Sequence, residues 1–313
     1  MKTIFTKAIC TAFFCFAVSF ALLGQQTAGT GALEDRSLSV GEFNQVTVSD
    51  DFEVTLVKGS YGVTVTTDVA LTPYIQVYVR AKNLFIAFDS KSVPKELKKS
   101  LKGKDGAANV FRATVRLPEL NGITLSDNVV LSAADPFNGN KFTMELANKS
   151  QVKALKLVCN SASLNLKNNA IADVNIEADK EITVASSNSS SLTASLRTEN
   201  LTLQADNSSK LTVDQPSGTE STIEAKGSAK IKFSGEGSTL MLKSDRNPEI
   251  DALNFTAHTV ETKLDGGTAM VNATHHLKLD IADGTTLNFT GEPKIEIIRV
   301  LKSSVAPYSP SSK

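Results

Sequence analysis

The chain has 313 residues, enough for one large domain or two ordinary ones, and balances 33 Lys and Arg against 33 Asp and Glu. Zero formal charge excludes a global field that would recruit nucleic acid or an acidic membrane surface. Trp is absent and aromatics make up 6%, while Ser, Thr and Asn are plentiful, a balance that favours strands and turns over helices.

The first segment, MKTIFTKAICTAFFCFAVSFALLGQQ, places Lys2 and Lys7 before an apolar run from Ala8 to Leu23. This is the pattern of a secretory signal peptide, expected over residues 1–24, with cleavage after Gly24 or Ala21. A membrane anchor is the alternative, because the run approaches spanning length. Neither Cys10 nor Cys15 follows the small residue that a lipid-attachment motif needs. After cleavage Cys159 alone remains, so no internal disulfide forms, and its apolar setting, LKLVCNSASL, predicts a buried, inert thiol. Residues 25–42 are expected to link the leader to the folded domain.

From Phe43 to about residue 120 the strands are irregular. FNQVTVSDDFEVTLVKG alternates on both sides of Ser49-Asp50-Asp51, and YGVTVTTDVALTPYIQVYVRAKNLFIAFDS supplies further strands. These are expected to act as distorted first coils that cap an otherwise bare sheet edge. A Lys-rich insertion, Lys91, Lys95, Lys98, Lys99, Lys102 and Lys104, interrupts them as a loop or short helix. A solvated loop is its ordinary reading; electrostatic docking onto an anionic envelope surface or glycan is the alternative.

From residue 121 a repeat takes over. Aligning the alternation around Asn207 yields a column of Asp127, Asn148, Asn168, Asn188, Asn207, Gly227, Arg246, Gly266 and Asp283, at spacings of about 17 to 21 residues. Two positions earlier stand mostly apolar residues such as Leu125, Leu146 and Leu166. Two positions later they are nearly all small, Ser150, Ala170, Ser190, Ser209 and Ala229 among them. A unit with two short strands and a corner cannot bury its own apolar face, whereas parallel stacking buries all such faces together. The predicted fold is therefore all-β, a single-stranded-type parallel β-helix of about nine coils, forming a rod about 40 Å long.

Because side chains alternate faces along a strand, the column is expected to point inward with Leu203, Ala205, Leu211 and Val213. Asn148, Asn168, Asn188 and Asn207 then stack as an amide ladder along the axis, and Gly227 and Gly266 keep the bend without it. Arg246 is the misfit; a bulge in SDRNPEIDA would let Asn247 replace it. The competing readings are plain turn chemistry, since Asn, Asp and Gly tolerate left-handed backbone, and an antiparallel sandwich. PKIEIIRVLKS is expected to close the stack by residue 301, and residues 302–313 to form a disordered tail.

Two passages carry a family resemblance. FNQVTVSDDFEVTLVKGSYGVTVTTD with LFIAF after it, and TVRLPELNGITLSDNVVL ahead of coils such as LTLQADNSSKLTV and STIEAKGSAKIKF, resemble the putative auto-transporter adhesin, head GIN-domain family of bacterial exported proteins. The resemblance runs from about Phe43 to about Leu301. It implies a β-helical protein of the periplasm, the outer-membrane surroundings or the cell surface, common in the Bacteroidetes group, and it attaches no catalytic residue. The Asn corners depart from the Ser-Gly corners of many members.

Asp245 and Asp265 stand beside the corner one coil apart, as a carboxylate pair for glycoside chemistry or a weak calcium site, or as solvated corner aspartates. His275 and His276 adjoin and so face opposite sides, which does not suit one shared metal, and His258 is a surface residue. No nucleophile-elbow serine or Gly-rich phosphate loop appears, so neither catalytic residue nor cofactor is expected. The leading expectation is a non-enzymatic exported protein that presents a rigid wall to a protein or glycan at the envelope. A polysaccharide-acting enzyme on the same scaffold and a self-associating structural protein are the alternatives.

Overall fold

The computed structural model describes residues 32–101 and 110–309; the expected leader, Lys102 and Lys104 lie outside them. The described chain is a parallel β-solenoid of about nine turns, and its first rung comes earlier than the repeat suggests. Strands β1 (Leu33–Leu38), β2 (Gln45–Val48), β3 (Glu53–Lys58) and β4 (Gly62–Asp68) open the chain, so a strand occupies part of the segment expected to be a linker. Strand β5 (Ile75–Arg80), β6 (Asn83–Phe88), the helix α1 (Lys95–Leu101) and β7 (Phe111–Leu117) follow.

The regular coils begin with β8 (Gly122–Leu125) and β9 (Val130–Ala133), then β10 (Phe137–Asn138) and β11 (Lys141–Leu146). In β12 (Gln151–Leu166) and β13 (Ile171–Ser186) one bent strand covers most of a coil. Strands β14 (Ser191–Arg197) and β15 (Asn200–Ala205) share the next coil. Long strands return in β16 (Lys210–Gly227), β17 (Lys230–Arg246), β18 (Glu249–Asp265) and β19 (Thr268–Ala282). The last rung holds β20 (Thr286–Thr290), β21 (Lys294–Val300) and β22 (Ser304–Pro307).

Each coil has three sides. A first wall stacks β2, β8, β11 and the later halves of β12 and β13 in parallel register, about 4.8 Å apart. A second wall stacks β3, β9 and the early parts of β12, β13 and β14. A short third side joins them. Alternation decides what lies inside: Leu164, Val184, Leu203, Ile223 and Leu242 of the first wall face Leu131, Val152, Leu192, Leu211 and Ile231 of the second, all buried. Burying one such side chain contributes about 1.5–3 kcal/mol, so the filled tube is the main source of stability.

The rung β2–β3 is a true coil: Asp50 and Asp51 turn its corner, and the Asp51 N–H donates to the Asp127 carbonyl at 2.9 Å. Above it the parallel order ends. Strand β6 lies parallel on β2 and folds back antiparallel through β5, while β7 lies parallel on β3 and continues antiparallel through β4 to β1. Leu71, Val93 and Leu97 are buried beneath this cover, so α1 is pinned by apolar contacts rather than standing free. The irregular region is thus one coil and a cap.

Among the described residues the other end has no cap. Strands β21 and β22 pair only backward, on β19 and β20, so residues 304–307, expected in a disordered tail, form a strand. By register Ile295, Ile297 and Val300 continue the buried columns of Leu277, Leu279 and Ile281. No described coil lies above them, and every residue of β21 is exposed.

Candidate functional site

The corner column is stacked as expected but faces the other way. Asn148 Nδ2 donates to Asp127 Oδ1 at 3.0 Å, Asn168 to Asn148 at 3.1 Å, Asn188 to Asn168 at 3.0 Å and Asn207 to Asn188 at 3.4 Å. Asp127, an acceptor only when ionised, fixes the direction of every amide above it. The asparagines are nevertheless exposed, correcting the inward expectation. Two consecutive residues adopt left-handed backbone at these corners, Asn168 with φ 57° and Asn169 with φ 63° for instance. That pair swings both side chains outward and breaks the alternation on which the inward assignment rested.

The inward corner position belongs instead to the small column: Ser150, Ala170, Ser190, Ser209 and Ala229 are fully buried. Ser150 Oγ donates to the Leu125 carbonyl at 3.2 Å and Thr285 Oγ1 to the Ala282 carbonyl at 2.7 Å, binding the corner together. Left-handed turn chemistry and an amide ladder therefore operate at the same residues. Further along, Gly227, Arg246 and Gly266 occupy the column with φ 67°, 74° and 91°. Arg246 itself makes the turn, paired with Gly227, and Asn247 does not replace it. Gly266 with Gly267, and Asp283 with Gly284, again make two-residue corners.

A second, shorter polar line runs along the opposite corner of the first wall. Asn160 Nδ2 donates to Asn140 Oδ1 at 2.6 Å, and the Asn140 N–H donates to Asn121 Oδ1 at 2.8 Å. Its signal in the sequence was the same one-coil spacing. Between the two corners lies the outward face of the first wall. Its outward column reads Thr143, Ser163, Thr183, Thr202 and Thr222 in direct register, beside Glu145, Asn165, Ala185, Gln204 and Glu224. Near the asparagine corner lies a shallow depression of about 230 Å³ lined by Gln204, Asp206, Glu224 and Lys226. The second wall presents Lys153, Asp173, Lys210, Lys230 and Glu249 outward, and the first wall carries charge on either side of its hydroxyl column, with Lys141, Glu181, Glu220 and Lys243 exposed.

Asp245 and Asp265 do sit in register on adjacent coils. Each has its own cation: Arg246 Nε is 3.5 Å from Asp245, and Arg299 bridges Asp265 at 3.0 Å and Asp280 at 2.5 Å. Among the described residues no group of three or more His, Cys, Asp or Glu side chains is placed to hold a metal. His275 and His276 separate, His275 stacking on His258 with ring centroids 4.5 Å apart and His276 reaching Glu296 at 3.1 Å. The one-coil separation of His258 and His275 signalled that stack. Cys159 is buried, and desolvation, with a smaller contribution from Asp179, pushes its thiol up to about 11. The thiol stays protonated near neutral pH and is a poor nucleophile.

Lys91, Lys95 and Lys99 are exposed on the cap. Among the described residues no helix is long and apolar enough to cross a membrane. A family model described as "Putative auto-transporter adhesin, head GIN domain" matches residues 42–175 and again 154–293. No curated protein matches the chain. Among solved structures it is similar to a putative adhesin from Parabacteroides merdae, at 18% identity and TM-score 0.47, covering 90% of this chain and 98% of that one. It is similar also to two proteins of Parabacteroides distasonis. One is a putative adhesin, at 18% identity and TM-score 0.46 over 90% and 99% of the two chains. The other is a putative lipid binding protein, at 16% identity and TM-score 0.45 over the same shares.

Proposed function

We propose, from the premise that this chain belongs to the putative auto-transporter adhesin, head GIN domain family, that it is an exported, non-enzymatic binding protein. Its first wall adheres to a glycan of the cell envelope. The supporting observation is the in-register column Thr143, Ser163, Thr183, Thr202 and Thr222. Uncharged hydroxyls repeat along it every 4.8 Å or so on a rigid sheet, matching the hydroxyl-rich, extended character of a polysaccharide. The neutral donors and acceptors of this column also lose less on desolvation than charged side chains would. Each contact is weak, and affinity comes from repetition along the rod. The folded unit so used runs from β1 to β22, residues 33–307, with the first coil and cap before residue 121.

Binding to arrayed neutral and acidic glycans tests the reading. Thr183→Arg with Thr202→Arg should reduce retention at least about tenfold. Thr193→Arg with Thr212→Arg, on the second wall, should leave it unchanged. Loss only with the second pair, or no glycan retained, overturns the assignment. Release of reducing ends or unsaturated sugars, abolished by Asp245→Ala, would instead establish the enzymatic alternative.

A further inference from the structure

The two ends of the core are treated differently. At the start of the rod, antiparallel β1, β4 and β5 and the buried Leu71, Val93 and Leu97 seal the first rung. At the far end Ile297 is 65% and Ile298 57% exposed, with Ile295, Val300 and Leu301 beside them. The outer N–H and C=O groups of β21 have no partner strand among the described residues. Apolar side chains and free backbone groups together ask for a strand, because a lipid surface would cover the first and leave the second unsatisfied.

We propose that this end is a docking surface for a second copy of the same chain, joined about a two-fold axis with β21 antiparallel to β21 of the other copy. The cap excludes head-to-tail stacking, so two copies can share this edge only end to end, giving a closed dimer rather than a fibre. The strand is complementary to itself. A register shift between Leu279 and Asp280 makes Ile298 an extra residue, so Ile295, Ile297 and Val300 lie on the core side while Glu296 and Arg299 lie on the outer side. Laid antiparallel against itself, KIEIIRV sets Ile295 opposite Val300 and Glu296 opposite Arg299, with Ile297 against Ile298. Apolar meets apolar and opposite charges meet across the seam. Without the extra residue, the residues set opposite would lie on different faces. On the second wall Pro307, which has no N–H to donate, blunts β22 and leaves β21 as the open side.

Sedimentation velocity of the full chain over a wide concentration range, with small-angle scattering for shape, tests the proposal. The expected result is a reversible monomer–dimer equilibrium in which the dimer is about twice as long as the monomer. Ile297→Lys, at a site too exposed to matter for folding, should raise the dimer dissociation constant at least about tenfold. Val158→Lys, at an exposed apolar site on the third side, should leave it unchanged. A monomer at every concentration, a dimer untouched by Ile297→Lys, or a ladder of ever longer rods would each overturn it.

Discussion

The corner from Asp127 to Asn207 and the same corner from Gly227 to Gly266 solve one problem with different parts. In the first stretch each coil turns on two left-handed residues, and the outer amides hydrogen-bond from coil to coil. In the second, Gly227 and Arg246 turn on a single left-handed residue each, and Gly266-Gly267 turn without amides. The first stretch adds side-chain hydrogen bonds to a backbone conformation that Asn accepts easily. The second relies on glycine where the neighbouring coil leaves no room: a Cβ on Gly266 would stand 2.0 Å from the Arg246 carbonyl oxygen. Polar stacking and close backbone approach are thus interchangeable ways to hold a corner, but they fail differently under substitution.

The largest effect is expected at the glycine corner. Gly266→Ala combines φ 91° with that backbone clash and should cost about 3 kcal/mol or more, seen as a fall in the urea midpoint. At the amide corner Asn188→Ala should cost about 1–2 kcal/mol, while Asn188→Gly, which loses the hydrogen bonds but tolerates φ 53°, should recover roughly half of that. Equal costs for the two would mean that stacking alone matters, and no cost for the glycine variant would mean that only the turn does. The smallest effect contrasts two buried serines. Ser190 Oγ donates to the Ser187 carbonyl at 2.7 Å, whereas Ser209 Oγ has no partner among the described residues. Ser190→Ala should cost about 1 kcal/mol, and Ser209→Ala should be neutral or slightly stabilising.

Coil number, parallel stacking and the identity of the corner residues were legible because they depend on spacing, which the sequence displays directly. The orientation of Asn148, Asn168, Asn188 and Asn207 was not. Period-two reasoning holds only while residues stay extended, and two successive left-handed residues shift the phase. The polar pairs Asn168-Asn169 and Asn188-Ser189 carried that information, since two adjacent turn-prone residues signal a two-residue arc. The antiparallel cap hid for another reason: Gly62–Asp68 and Ile75–Arg80 alternate like any strand, and direction leaves no mark on alternation. Arg246 was set aside on residue type, although the Gly227 backbone pairs with it regardless of its side chain. For the wall, only repetition was visible, and which column repeats in a chemically uniform way needed the register.

The parallel register has a consequence for how such a molecule varies. Because each rung touches only the one before and the one after, a duplicated or deleted unit of about twenty residues would leave every remaining neighbour relation intact. Reach would change in increments of about 4.8 Å while the cross-section stayed constant. Length is then a dimension that selection can adjust independently of what the surface recognises.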